Sequence, residues 1–252
     1  MEYNFSNVKP PSSYSYFDRK LRRKNKITKE MKDLPKTYNS KNCYHTNPMT
    51  YYYRTLRELQ DLPLKANKND KFLDWGCSTG VSTIAIANSF KEATVIGLDI
   101  SETRVKIALQ RTLVTLKKGY ITVYNSSIAS LVKEEIPNPE CIKVPKAFLV
   151  ADGFNSPFKD KEFNTVFCMN NIYYILNKAD EADLSLKMRE LLRVIKEKGH
   201  LLITGTDDLI NLEILLLEKR DNKMQPVCST FTLNNETSRK RMELIMKMCN
   251  RS

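Results

Sequence analysis

The stretch KFLDWGCSTG, residues 71–80, decides the fold. An apolar pair, Phe72 and Leu73, precedes Asp74, and the chain then enters a short loop that contains glycines. The next residues, VSTIAIANSF, have apolar side chains at helical spacing. Small residues let the backbone of such a loop approach a ligand closely, and the first turn of a helix offers unpaired N–H donors. The stretch therefore predicts the strand–loop–helix unit of a nucleotide-binding α/β domain.

A second signal is an acidic residue at the end of the next predicted strand. TVIGLDI, residues 94–100, reads as a short strand that contains Asp99 near its end. A carboxylate at this place can accept hydrogen bonds from both hydroxyls of a ribose. The dinucleotide fingerprint would require a third glycine where the chain has Val81. An NAD site is therefore disfavoured.

The loop resembles the first motif of class I S-adenosylmethionine-dependent methyltransferases through Asp74, Gly76, Ser78 and Gly80. The family usually has glycine at the place of Ser78. Later segments follow in the order of that family. They are the strand ending at Asp99, the strand KAFLVADGF (146–154), the run SPFKDKEFNTVFCMNNIYYI (156–175) and the turn RVIKEKGHLLITG (193–205). The chain is thus similar to the methyltransferase type 11/25 group over about residues 70–206.

This resemblance implies a Rossmann-like α/β fold, doubly wound, with a mainly parallel sheet and helices on both faces. It implies S-adenosyl-L-methionine as cofactor. The residues that it assigns to the cofactor are Asp74, Gly76, Cys77, Gly80, Asp99, Ile100, Asp152, Gly153 and Met169. The substrate-facing candidates are Asn170, Asn171, Tyr174 and Tyr53. No catalytic base is assigned, because many members of the family have a histidine where this chain has Tyr174.

Three functions remain open from the sequence. The first is an active methyltransferase with an unassigned acceptor, and the second is a cofactor-binding module without turnover. Ser78, Asn164 and Tyr174 depart from the family pattern and keep the second open. The third is an NAD-dependent oxidoreductase, which the missing glycine at Val81 opposes.

Charge divides the chain into three predicted parts. Residues 1–47, an irregular arm, hold 11 Lys and Arg against 4 Asp and Glu, and residues 219–252, an extension with a strand and a helix, hold 8 against 3. The predicted methyltransferase core, residues 48–218, is therefore close to neutral, whereas the whole chain has a net charge of +12. Basic ends favour an acidic partner, and the acceptor classes left open are a small molecule, RNA and protein.

The region after residue 206 fits the family pattern less well. DLINLEILLLEKR (208–220) is interpreted as a helix, VCSTFTL (227–233) as one strand and SRKRMELIMKMCN (238–250) as a helix. The closing strands of the sheet are accordingly predicted to be reduced. Residues 120–145 are interpreted as an insertion of unassigned role.

Composition excludes several other classes. No apolar run reaches the ~20 residues of a membrane-spanning helix, and the first residues lack the apolar segment of a secretory signal. The six cysteines show no CxxC pair and the two histidines complete no metal motif. We therefore expect an intracellular, cytoplasmic protein without a metal site.

Overall fold

The structure is a computed structural model. It describes the following residues: 52, 55–56, 58–60, 62–109, 120–125, 130–135, 145–171, 181–206, 212–229 and 236–250. The described residues fall into two compact units, one that ends at Asp152 and one that begins at Gly153. The predicted N-terminal arm, Tyr53 and Tyr174 lie outside the described residues.

The first unit has five described strands. They are β1 (Lys71–Trp75), β2 (Thr94–Asp99), β3 (Tyr120–Asn125), β4 (Ser130–Glu135) and β5 (Ala147–Val150). β2 lies between β1 and β5 and is parallel to both. β3 and β4 form a separate antiparallel hairpin within the predicted insertion. Because β1, β2 and β5 are parallel, their carboxyl ends lie at the same edge of the sheet.

Helical segments accompany these strands. Helix α1 (Val81–Ser89) confirms the predicted helix, and all of its residues from Val81 to Ala87 are buried. Residues 102–109 are also helical, with Val105 and Ala108 buried and Leu109 44% exposed.

The second unit contains four described strands and two long helices. β6 (Phe163–Met169) is followed by α2 (Glu181–Arg193), β7 (Ile195–Thr206), β8 (Leu212–Arg220), β9 (Lys223–Ser229) and α3 (Glu236–Asn250). β6 is parallel to β7. β7, β8 and β9 form an antiparallel meander. The predicted helix over 238–250 is confirmed as α3.

The predicted helix over residues 208–220 is wrong, because residues 212–220 form β8. Its run from Ile214 to Leu217 is fully buried in a strand that pairs on both sides, with β7 and β9. A continuous apolar run suits such a strand as well as a buried helix. The closing strands are therefore present rather than reduced.

A buried lysine near the end of β8 supports this arrangement. Lys219 is only 6% exposed, and its Nζ donates to the carbonyl oxygens of Leu192 and Ile195 at 3.0 and 3.1 Å. The ammonium group thus satisfies the carbonyl group of Leu192 in the last turn of α2, where a positive charge is favourable, and that of Ile195 at the start of β7. β8 also continues across residue 218, where the sequence analysis set the end of the core.

These observations confirm the predicted α/β fold of Rossmann-like type with mainly parallel strands and accompanying helices. No helix in the described part of the chain has the length and hydropathy that a membrane crossing requires.

Asn250 at the end of α3 completes the hydrogen bonding of β9. Its Oδ1 accepts from the N–H of Met224 at 2.8 Å, and its Nδ2 donates to the carbonyl oxygen of Met224 at 3.1 Å. We expect Asn250→Ala to lower the free energy of unfolding by about 1–3 kcal/mol, because both backbone groups lose their partner. Urea unfolding measures this loss.

Asn250→Asp is the matched variant: it keeps an acceptor for the Met224 N–H, but at neutral pH it replaces the donor by a negative charge that faces the Met224 carbonyl oxygen at the carboxyl end of α3. It should therefore be no more stable than Asn250→Ala. Equal stability of all three proteins would contradict the assignment.

Candidate cofactor site

The loop between β1 and α1, residues 76–80, is tied to β2 by backbone hydrogen bonds. The N–H groups of Gly76 and Cys77 both donate to the carbonyl oxygen of Leu98, at 2.7 and 2.8 Å. The N–H of Ser78 donates to Oδ2 of Asp99 at 2.8 Å. The first half of the loop is therefore fixed on the end of β2.

Asp99 is held in turn from the other side. Its Oδ1 accepts from the N–H of Ser101 at 2.8 Å, and the residue is only 6% exposed. Each carboxylate oxygen can accept more than one hydrogen bond. Asp99 is thus a rigid acidic acceptor at the carboxyl edge of β2, with capacity left for further donors.

The loop needs residues that tolerate positive φ. Gly76 and Gly80 both have φ of 79°, and Ser78 has φ of 50°. Glycine adopts this conformation without steric cost, whereas an L residue such as serine is strained there. Gly80 then precedes the first turn of α1, and its carbonyl oxygen accepts from the N–H of Ile84 at 3.0 Å. The Oγ of Ser78 is buried and has no hydrogen-bond partner.

Asp74, near the end of β1, is completely buried. Its Oδ2 accepts from the hydroxyls of Ser82 and Thr83 at 2.7 and 2.6 Å, whereas its Oδ1 has no partner. Burial raises the pKa of Asp74 to about 6, the two hydroxyls oppose this effect, and the charge of Asp99 adds to it. Asp74 is therefore a buried acceptor for which a donor, either a proton or a ligand group, is favourable.

An aromatic side chain from β5 packs under the loop. Phe148 belongs to a buried cluster with Cys77, Val105 and Ala108. A Cβ atom at Gly97 would lie 2.6 Å from Cδ1 of Phe148. Sequence reasoning did not single out Phe148 or Gly97, although a glycine inside a strand often marks a close approach.

Burial also governs the chemistry of Cys77. The pKa of the thiol is raised well above its usual value by burial and by the charges of Asp74 and Asp99. At neutral pH the thiol keeps its proton, so Cys77 packs the loop and is a poor nucleophile.

The other predicted residues of the site lie further along the strand ends. Ile100, directly after Asp99, is 58% exposed, and Asp152 is exposed two residues after β5 ends. Gly153 and Met169 belong to the second unit, where Gly153 begins a short 3-10 turn and Met169 ends β6. Of the substrate-facing candidates, only Asn170 and Asn171 are described, and both are half-buried in the second unit.

Asn170 follows β6 directly. It has φ of 58°, and its N–H donates to the carbonyl oxygen of Thr204 on β7 at 2.9 Å. Asparagine is among the residues that adopt this left-handed conformation readily. Its backbone is therefore set by β7.

The sequence profile of a family described as methyltransferase domain matches residues 73–203, more than half of the chain. The chain belongs to this family. The predicted resemblance to class I S-adenosylmethionine-dependent methyltransferases is thereby confirmed, and the predicted cofactor, S-adenosyl-L-methionine, agrees with it. The match includes Asp74, the loop 76–80, Asp99 and Asp152, so the candidate site lies inside the methyltransferase domain.

Several solved structures are similar to this methyltransferase domain. A S-adenosylmethionine-dependent methyltransferase from Methanosarcina mazei is 20% identical, with a TM-score of 0.40 over 56% of this chain and 54% of that one. The YcgJ protein of Bacillus subtilis is 17% identical, with a TM-score of 0.41 over 61% and 51%. A geranyl diphosphate C-methyltransferase from Streptomyces coelicolor is 16% identical, with a TM-score of 0.42 over 61% and 43%.

The chain therefore spans about half the length of these structures. No curated protein matches the chain. Likenesses this distant do not transfer an activity or a substrate.

The pKa of Asp74 leads to a prediction about stability and pH. A carboxyl group whose pKa is about 6 in the folded state and near 3.8 when unfolded destabilises the fold above pH 6 and loses that effect as the pH falls toward 4. Asp74→Asn removes this titration. We expect its stability relative to the wild type to be more favourable at pH 7 than at pH 4 by roughly 2–3 kcal/mol.

Urea unfolding at several pH values without cofactor measures the difference. In Thr83→Val the pH range over which stability changes should extend to higher pH, because the Thr83 hydroxyl lowers the pKa of Asp74. A stability difference between Asp74→Asn and the wild type that is independent of pH would contradict the assigned titration.

The conformation of Ser78 leads to a second prediction. Ser78→Gly removes the strain of positive φ, about 1–2 kcal/mol, and also a buried hydroxyl without a partner. The extra flexibility of glycine in the unfolded chain offsets roughly 0.5–1 kcal/mol of this gain. We expect a net increase of about 0.5–1 kcal/mol in the free energy of unfolding.

The matched control is Ser82→Gly in α1, where the backbone is helical and the hydroxyl binds Asp74. That variant should be less stable than the wild type. If both substitutions destabilise the protein equally, the strain at Ser78 is absent.

Proposed function

We propose that the chain is an active S-adenosylmethionine-dependent methyltransferase whose cofactor binds at the carboxyl edge of β1, β2 and β5. The observation that carries the proposal is the fixed carboxylate of Asp99 beside the glycine loop. Ser78 and Ser101 hold its two oxygens in place before any ligand is present. Hydroxyls of the cofactor's ribose are the donors for its remaining acceptor positions.

The residues present fit the polar groups of the cofactor. The buried Oδ1 of Asp74 has no partner, and an ammonium group would supply both a donor and a compensating charge. Gly76 has no side chain at a position with positive φ, so the backbone there can lie close to a ligand. We assign the methionine end of the cofactor to this side of the site.

The adenine end is assigned to the ends of β2 and β5. Ile100 exposes an apolar side chain next to Asp99, and such a side chain can pack on the face of a base. Asp152 exposes a carboxylate, which can accept from the exocyclic amine of adenine. Val150 is 50% exposed and lies beside Asp99 in the register of β2 and β5. Its side chain is proposed to add a further apolar contact to the base.

When bound, the sulfonium group of the cofactor supplies an activated methyl group. The protein's part is to orient donor and acceptor and to exclude water, which does not require a strong base for a neutral amine or a thiolate. The roles that the sequence analysis gave Asn170 and Asn171 toward the acceptor stay predictions. The thiol of Cys77 keeps its proton and takes no part as a nucleophile.

The acceptor class stays a proposal. The basic ends of the sequence support an acidic partner, either RNA or an acidic protein surface, whereas a small-molecule acceptor would leave them without a role. On α3, Arg239 and Lys240 pair with Glu243 and Glu236, so part of the C-terminal charge is balanced locally. A cytoplasmic location likewise stays a prediction.

Binding of S-adenosylhomocysteine, followed by calorimetry, tests the cofactor site. We expect wild-type binding and a loss of about 100-fold or more in Asp99→Ala, because each hydrogen bond to a charged group contributes about 1.5–3 kcal/mol. Asp99→Asn, which keeps one acceptor oxygen, should lose less. Asp160→Ala is the control, since it removes a carboxylate that is 74% exposed and paired with Arg193.

Turnover is tested with radiolabelled S-adenosylmethionine and a cell extract fractionated into small molecules, RNA and protein. Label in one fraction that disappears with Asp99→Ala identifies the acceptor class. Cofactor binding without label in any fraction would favour the alternative of a binding module without turnover. Binding of NAD in place of S-adenosylhomocysteine would overturn the cofactor assignment.

A further inference from the structure

The side chain of Phe148 reaches both β2 and the far end of the loop. Phe148 stands directly beside Gly97 in the parallel register of β2 and β5. A Cβ atom on Gly97 would lie 2.6 Å from its Cδ1, and a Cβ atom on Gly80 would lie 2.9 Å from its Cζ. Because both neighbours are glycines, the Cδ1–Cε1–Cζ edge of the ring can approach the backbone closely at both places.

The two halves of the loop are restrained in different ways. Gly76, Cys77 and Ser78 are bonded to β2 through Leu98 and Asp99. The N–H of Gly80 instead donates to the carbonyl oxygen of Cys77 within the loop itself, at 2.9 Å. The end of the loop at Gly80 is therefore tied to β2 indirectly, through Cys77, and packs directly against Phe148 and Ala108.

That end of the loop also sets the start of α1, which begins at Val81. The unpaired N–H groups of the first helical turn point toward the loop, so a shift at Gly80 moves them with it. A displacement of about 1 Å in such a site is enough to lower ligand binding or catalysis substantially.

We propose that Phe148 is a positioning residue for the cofactor loop. Its ring holds Gly80 at a fixed distance from Gly97 and thereby sets the loop for the cofactor without touching it. The inference rests on the proposed cofactor site. Gly97 and Gly80 are required because a side chain at either place would occupy the space of the ring.

The test compares the affinity for S-adenosylhomocysteine and the thermal midpoint of two variants. Phe148→Leu removes the tip of the ring, and Phe148→Tyr adds a hydroxyl at Cζ, the ring atom that a Cβ at Gly80 would approach to 2.9 Å. Both should weaken binding by about 10-fold. Phe163→Leu is the matched control, because Phe163 is a fully buried phenylalanine on β6 whose ring contacts Phe158.

We expect Phe163→Leu to lower the thermal midpoint by a similar amount and to keep the affinity within about twofold. If Phe148→Leu loses no more affinity than Phe163→Leu, Phe148 is a core residue alone and the inference is overturned. If the wild type does not bind S-adenosylhomocysteine, the proposed function itself fails. This outcome differs from the failure of the Phe148 inference, in which the wild type binds and the variants lose no affinity.

A second variant keeps the inference testable if Phe148→Leu is poorly folded. Gly97→Ala alone should weaken binding by about 10-fold, since its methyl group meets the ring. The double variant Gly97→Ala with Phe148→Leu should lose no more affinity than either single variant, because both substitutions disturb the same contact between residues 97 and 148. Losses that simply add in the double variant would overturn the inference.

Discussion

The hydrogen bond from the Ser78 N–H to the carboxylate of Asp99 is the interaction on which the first unit's site depends. It joins the loop after β1 to the end of β2. The carboxylate of Asp99 therefore holds the loop in place and is also the proposed acceptor for the ribose hydroxyls of the cofactor. Ser101 fixes the second oxygen, and the orientation of Asp99 is therefore set before a ligand arrives. Preorganisation of this kind lowers the entropic cost of binding.

The loop combines this rigidity with strain and unsatisfied polar groups. Ser78 adopts a conformation that favours glycine, and Asp74 has a buried oxygen without a partner and a pKa near 6. Each feature lowers the stability of the protein without ligand. Such local costs are common at functional sites, where bound ligand supplies what the free protein lacks.

The fold was predictable where the pattern is local and periodic, and less so where it is not. α1, α3 and the strands around Asp74 and Asp99 follow directly from spacing and glycine position. β8 was mistaken for a helix because its centre, ILLL (214–217), is a continuous apolar run, and such a run has no period that separates a doubly paired strand from a buried helix. Pairing with β7 on one side and β9 on the other makes this segment a strand, and a single sequence does not display such pairing.

The residues of the candidate site were likewise predictable where they lie close together in the sequence, and not where they lie far apart. Asp74, the loop and Asp99 lie within one βαβ unit, so their proximity could be inferred from sequence distance alone. Phe148 lies far along the chain, and its contact with Gly97 and Gly80 depends on the register of β5. Only the glycine inside β2 gave a signal that something approaches closely there.

A crystal structure of the protein with S-adenosylhomocysteine tests the central claim most directly. The account predicts both ribose hydroxyls within hydrogen-bond distance of Asp99, with the loop 76–80 beside the thioether and the Ser78 N–H still bonded to the carboxylate. A nucleoside bound elsewhere, or a loop that must leave Asp99 to admit the ligand, would contradict it.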